Sequence, residues 1–147
     1  MHNMETEQWL SSAAADVLET TFFSPVMEEA PVSGMPCEGA LAARLQFSGA
    51  RSGAFTVRVT EGAARVIAAS FLAEETDEPA PEQVQEVICE LSNMMCGAVL
   101  SRLDRGAHFD LSTPVLVDPL EVATAQATSR AFDIGDGEVA VYLHLDD

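Results

Sequence analysis

Between Pro81 and Gly106 the chain carries one long amphipathic pattern, and everything else must pack around it. Val84, Val87, Ile88, Leu91, Met95, Ala98 and Val99 fall in a single stripe when each residue advances about 100°. Pro81 suits a first helical turn, where its missing N–H would have no partner anyway. Arg102 and Arg105 complement the negative end of the helix dipole. The spacing predicts a helix from about Pro81 to Arg105, the longest of the chain, with that stripe as its core face.

Around it lie shorter elements. Leu10, Ala13, Ala14, Val17, Leu18 and Thr21 recur at three- and four-residue steps, which predicts a helix over 6–23 that Pro25 cannot continue. After a loop rich in Pro and Gly, Leu41, Ala43, Leu45 and Phe47 alternate with Ala42, Arg44 and Gln46. Phe55, Val57 and Val59 likewise alternate with Thr56, Arg58 and Thr60, so a hairpin with one wet face is expected. A short helix from about Glu61 to Leu72 has Thr60 as its candidate N-cap, and the acidic stretch from Glu74 to Pro81 reads as a solvated connection. Strand-like segments follow at Phe109–Val117, interrupted by Pro114, at roughly Val122–Phe132 and at Val139–Leu145. The turn Gly135-Asp136-Gly137 separates the last two.

Helix, two strands, two helices and three strands predict an α+β fold, a two-layer arrangement with a mainly antiparallel sheet and helices packed on one face. A doubly wound parallel sheet would need regular strand–helix alternation. The 147 residues suit one domain spanning 1–147.

Composition narrows the partners. The formal charge is −17, with seven arginines and no lysine. Such a field repels phosphate backbones and anionic membranes, so no nucleic acid and no membrane partner is expected, and a partner offering basic contacts is. No apolar run approaches the roughly 18–20 residues that cross a bilayer, and Met1-His2-Asn3-Met4-Glu5 lacks the features of a signal peptide, so a cytoplasmic location is expected. Cys37, Cys89 and Cys96 are an odd count without disulfide-framework spacing, best read as buried thiols in a reducing compartment.

The long helix breaks a local rule on its other side. Glu86, Glu90, Asn93 and Gly97 form a second stripe pointing nearly opposite the first, so Glu90 and Asn93 are neighbours on an outward face. Inside a solvent-facing helix Asn costs roughly 0.7 kcal/mol and Gly about 1 kcal/mol relative to Ala. Gly97 also removes a side chain, letting another surface approach closely. Any solvated helix can carry Glu-x-x-Asn, and spacing alone leaves both readings open. The rule-breaking residues together direct attention to this face. Neither Glu90 nor Asn93 is a good nucleophile. An amide can hold a water in line with an electrophile while a carboxylate anchors a cation, which suffices where the substrate is already activated, as an acyl phosphate is.

The run Glu86-Val87-Ile88-Cys89-Glu90-Leu91-Ser92-Asn93-Met94-Met95-Cys96-Gly97 resembles the signature helix of the CheC/CheX/FliY phosphatases and is most similar to that of CheX. Asp16-Val17-Leu18-Glu19-Thr20-Thr21-Phe22-Phe23 is similar to the first helix of CheX-like domains, and Phe109-Asp110-Leu111-Ser112-Thr113-Pro114 to the strand after the signature helix. The resemblance implies a phosphatase acting on the aspartyl phosphate of a response-regulator receiver domain such as CheY. By it, Asn93 orients the attacking water and Glu90 pairs with a receiver lysine. It also implies that the only metal is the Mg²⁺ of the phosphorylated partner, with no cofactor and no metal of this chain's own, and that the chain forms a homodimer through its sheet. Asp16, Thr20 and Phe23 repeat the spacing of Glu86, Glu90 and Asn93 without the working pair, so one active face per chain is expected. Two departures stand out. Glu86 replaces the usual Asp or Ser, and the twenty residues between Asn93 and Pro114 are slightly fewer than usual.

Glu86, Met94 and Gly97 are the further residues expected to touch the partner. Met94, although it flanks the site, reads with Met95, Phe22 and Phe23 as packing, and His108 and His144 read as satisfied or solvated strand residues. The competing reading is a non-catalytic interaction module, a response-regulator binder or a flagellar-switch-like scaffold, which would not need Glu90 and Asn93.

Overall fold

The computed structural model describes residues 4–32, 38–76, 78–121 and 127–146. Cys37 and the stretch 122–126, the expected start of a strand, lie outside them. Helix α1 (Met4–Thr20) leads into strand β1 (Glu28–Ala30) and the hairpin of β2 (Leu41–Gly49) and β3 (Gly53–Val59). Helices α2 (Glu61–Phe71) and α3 (Pro81–Leu103) follow, then β4 (Phe109–Leu111), β5 (Val115–Val117), and the hairpin of β6 (Thr128–Asp133) and β7 (Glu138–Leu145).

The seven strands form one sheet in the order β1-β6-β7-β3-β2-β4, with β5 also on β2, and the pairings are antiparallel. The β6–β7 turn depends on Gly135, whose φ of 95° few other residues adopt, with Ile134 N–H donating to the Gly137 carbonyl at 3.0 Å. Thr60 caps α2, its hydroxyl accepting the Ala63 N–H at 3.4 Å.

The main core lies between the helices and one face of the sheet. Leu45, Phe47, Phe55, Val57, Val141 and Leu143 meet Leu10, Leu18, Ile67, Ile88, Leu91 and Met95 there. The three helices therefore cover a single face, as the element order predicts. α3 is the centre of this layer, packing on α1, α2, β2 and β3. At its far end Arg102 pairs with Asp16 of α1 at 2.5 Å.

Several local expectations change. β1 was not expected, because Glu28, Glu29 and Ala30 are all exposed and show no alternation; it exists by pairing with β6. The opposite face of the sheet is wet along β2, at Arg44, Gln46 and Ser48, but not throughout. In its middle Tyr142, only 2 % exposed, joins Ala127, Ala140 and the partly buried Val32 in a second small cluster, beneath the Arg58 guanidinium. The buried Tyr142 hydroxyl has no hydrogen-bond partner among the described residues, and burial pushes its pKa up. Finally, Phe22 packs as expected, its ring stacked on Phe71, but Phe23 is 66 % exposed. α1 has ended at Thr20, and Phe23, with a φ of 52°, turns the chain so that Ser24 N–H returns to the Leu18 carbonyl at 2.8 Å.

Candidate functional site

The buried arc of α3 comprises Val87, Ile88, Leu91, Ser92, Met95, Cys96, Val99 and Leu100. It is wider than one stripe because the helix has neighbours on two sides as well as beneath. Val84 and Ala98, assigned to the stripe, are half-buried at its margins. Glu82, Glu86, Glu90 and Gly97 are exposed on the far side, and Asn93 is half-buried between them and the core. Ser92, next to Asn93 but facing inward, satisfies its hydroxyl locally by donating to the Cys89 carbonyl at 2.7 Å.

The facing wall comes from a break at the sheet edge. β4 pairs with residues 47–49 of β2 and β5 with residues 42–44. Two residues of β2, Leu45 and Gln46, therefore oppose three on the other chain segment, Ser112, Thr113 and Pro114. This is a β-bulge, a device common beside functional sites. Pro114 has no N–H to give the ladder, which suits a bulge at an edge. Ser112 holds the bulge to the sheet: its N–H donates to the Gln46 carbonyl at 2.8 Å, and its hydroxyl accepts the Gln46 N–H at 2.8 Å.

Between helix and bulge runs a groove of about 770 Å³. Glu82, Gln85, Glu86, Cys89, Glu90 and Asn93 form one side, and Leu111, Ser112, Thr113, Pro114 and Leu116 the other. Its lining carries three glutamates and no Arg or His. Burial, and secondarily the Glu86 carboxylate, hold the Cys89 thiol above its ordinary pKa, so it stays protonated and weakly nucleophilic. His108 pairs with Asp110 at 3.1 Å and His144 with Asp146 at 3.3 Å, and neither lines the groove. Among the described residues no group of three or more His, Cys, Asp or Glu is placed to hold a metal ion. What the groove offers is two amides, a row of carboxylates and a facing wall that mixes apolar side chains with two hydroxyls.

Of the residues expected at the site, Glu86, Glu90 and Asn93 share this groove. Met94 and Gly97 do not line it: Met94 is half-buried against the main core, and Gly97 stands exposed one turn beyond Asn93. A side chain built at Gly97 would meet nothing within 4 Å, so the fold itself does not require glycine there. Glu82 and Gln85 were overlooked, although Glu82 continues the four-residue step of Glu86 and Glu90. Ser112 carried no sequence signal, because its partner is 66 residues away.

A smaller groove of about 480 Å³ lies beside α1. Glu7, Gln8, Ser11, Ser12 and Ala15 line it with the spacing of Gln85, Glu86, Cys89, Glu90 and Asn93. Ser12 and Ala15, rather than Thr20 and Phe23, thus stand where a second pair would be. The expected register matched steps along the helix but not the turn that meets the sheet edge; Asp16 is instead tied to Arg102. Glu29 of β1, which accepts from Ser11 and from Arg130 Nε at 3.3 Å, closes that groove's floor.

Compared with known families, residues 41–134 match the one described as Chemotaxis phosphatase CheX. The chain belongs to the CheX family. Solved structures agree in fold. CheX from Vibrio vulnificus is similar to this CheX-family chain with a TM-score of 0.76 at 20% identity, covering 97% of both chains. The CheX–CheY–BeF3–Mg complex of Borrelia burgdorferi gives a TM-score of 0.73 at 17% identity, covering 99% of this chain and 100% of that one. FliY from Thermotoga maritima is a more distant likeness, with a TM-score of 0.59 at 14% identity and coverage of 100% and 93%. No curated protein sequence matches this CheX-family chain. Among its described residues no helix is long and apolar enough to cross a membrane.

Proposed function

We propose that this chain hydrolyses the aspartyl phosphate of a response-regulator receiver domain of the CheY kind. The observation that carries the reading is the placement of Glu90 and Asn93 together on the groove wall of α3, on the side its core does not use. Family membership supports it, as does the fold's likeness to a CheX protein solved with CheY, BeF3 and Mg.

The chemistry follows from what the groove holds. The Asn93 amide orients a water in line with the phosphorus; the water oxygen bonds to phosphorus as the bond to the aspartyl oxygen breaks. The carboxylate leaves on the receiver, and inorganic phosphate departs with the water's proton released to solvent. The receiver's own Mg²⁺ supplies charge neutralisation at the phosphoryl oxygens. Glu90 anchors a receiver lysine, Glu86 lies along the same approach, and the exposed Gly97 leaves room for the receiver one turn beyond Asn93. Positioning alone can supply a large share of such an acceleration, because the acyl phosphate is already activated.

In this reading the chain is a single domain working in the cytoplasm with its receiver, one active face per chain, as a homodimer. The exposed edge strand β5, with Val115 56 % and Leu116 41 % exposed, supports a pairing of copies through the sheet. Sedimentation equilibrium tests that assembly.

The decisive experiment mixes the protein with a CheY-type receiver phosphorylated by acetyl phosphate and follows phosphate release. Acceleration by wild type that is lost in Asn93→Ala is the expected result. Binding without acceleration would make the chain a receiver-binding module instead.

A further inference from the structure

We infer that Ser112 is the positioning residue that sets the sheet-side wall of the groove against which the receiver docks. The inference rests on the phosphatase reading above. Along the β2–β4 edge, Ala50 N–H donates to the His108 carbonyl at 3.2 Å, and Ser48 is registered opposite Asp110. Every second pair along an antiparallel ladder exchanges two backbone hydrogen bonds, so the next such pair is Gln46 with Ser112. One bond of that exchange is made: Ser112 N–H reaches the Gln46 carbonyl at 2.8 Å. The other is not made by the Ser112 carbonyl. Its side chain takes over, the hydroxyl oxygen accepting the Gln46 N–H at 2.8 Å.

This substitution of side chain for main chain is what lets the strand leave the sheet. With Gln46 already satisfied, the Ser112 carbonyl is free to turn away, and Thr113 and Pro114 bulge outward before β5 rejoins β2 at Arg44. The displaced residues form the groove wall that faces Glu90 and Asn93. Alanine at 112 would leave the Gln46 N–H without its acceptor. The cheapest repair is the ordinary one, the residue 112 carbonyl returning to the ladder, which confines the bulge to Thr113 and Pro114 opposite Leu45 and draws the wall back at residue 112. The helix with its catalytic pair would keep its place, because α1, α2, β2 and β3 hold it far more than β4 and β5 do. Loss of the hydroxyl should thus impair docking of the receiver and spare the chemical step.

The test compares full-length wild type, Ser112→Ala, Ser112→Thr and Asn93→Ala with a CheY-type receiver encoded in the same genome and phosphorylated by acetyl phosphate, reading phosphate release against receiver concentration. Ser112→Ala is expected to raise KM about tenfold, equivalent to about 1.4 kcal/mol, with kcat unchanged. Ser112→Thr, which keeps the hydroxyl, restores the wild-type KM. The Gln46 amide chemical shift, read by NMR, moves in Ser112→Ala alone, because its acceptor changes from a hydroxyl to the residue 112 carbonyl. Should Ser112→Ala fail to fold by circular dichroism, Ser112→Cys replaces it with the same expectation. An unchanged KM and an unchanged Gln46 amide overturn the role of Ser112, as does a fall in kcat without a change in KM. If Asn93→Ala equals wild type, or wild type accelerates nothing, the reading beneath fails instead, and the inference goes with it.

Discussion

Glu90 stands in open solvent on α3, while Asn93, one turn further along the same wall, is half-buried in the groove. The two exposures suit two tasks. A carboxylate that must find a partner's cation gains from reach, whereas an amide that must hold a water gains from restricted motion.

Asn93→Ala should therefore lose about a hundredfold or more in kcat for receiver dephosphorylation, the scale on which single orienting or stabilising groups act. Binding to the receiver loaded with beryllium fluoride and Mg²⁺ should survive, as read by titration calorimetry. Full activity in this variant would remove the amide from the mechanism.

Glu90→Gln should act on affinity. A charge-assisted contact is worth roughly 1.5–3 kcal/mol, and the variant should lose that much in receiver binding. The salt dependence of binding should flatten as well, since one ion pair is gone. An affinity loss identical at low and high salt would contradict an ionic role for Glu90.

At Gly97 stability and activity should move in opposite directions. An added methyl group meets nothing within 4 Å, so Gly97→Ala should stabilise α3 by about 1 kcal/mol. For a chain of this size that raises Tm by roughly 2–4 °C. If a receiver approaches closely there, phosphatase activity falls even as Tm rises. A gain in both would leave the glycine without a functional reason.

Burial pushes the Cys96 thiol up to about 12 from its ordinary value of 9.0. A group whose folded pKa is raised stabilises the fold fully below the unfolded pKa and loses that contribution as pH climbs through the folded one. Between about pH 9 and 12 the chain should thus lose up to roughly 1.4 kcal/mol per pH unit from this thiol alone. Urea unfolding across that range should show the decline, and Cys96→Val should remove part of it. Tyr142, also raised by burial, leaves a residual slope.

How much of this could be read beforehand depended on how local each cause was. The Pro81–Leu103 helix, the Thr60 cap and the Gly135 turn arise from neighbours within a few residues, and each stands where the sequence puts it. β1 escaped notice because its three exposed residues owe their conformation to β6, about a hundred positions later. Ser92 and Leu100 lie outside the predicted stripe, yet they are buried, since neighbouring helices widen the shielded arc. At the site, Glu86, Glu90 and Asn93 were legible because one helix spaces them. The wall opposite was not: Ser112 matters only once the chain has brought Gln46 beside it.

The ion pair at the floor of the α1 groove has a practical consequence. Placing Glu at Ser12 and Asn at Ala15 would reproduce the spacing of the working face, and still not yield a two-headed enzyme. Arg130, paired with Glu29, already puts a positive charge in that groove, and a receiver's lysine would meet it. An engineer would first have to unplug that floor, and only then furnish the helix above it.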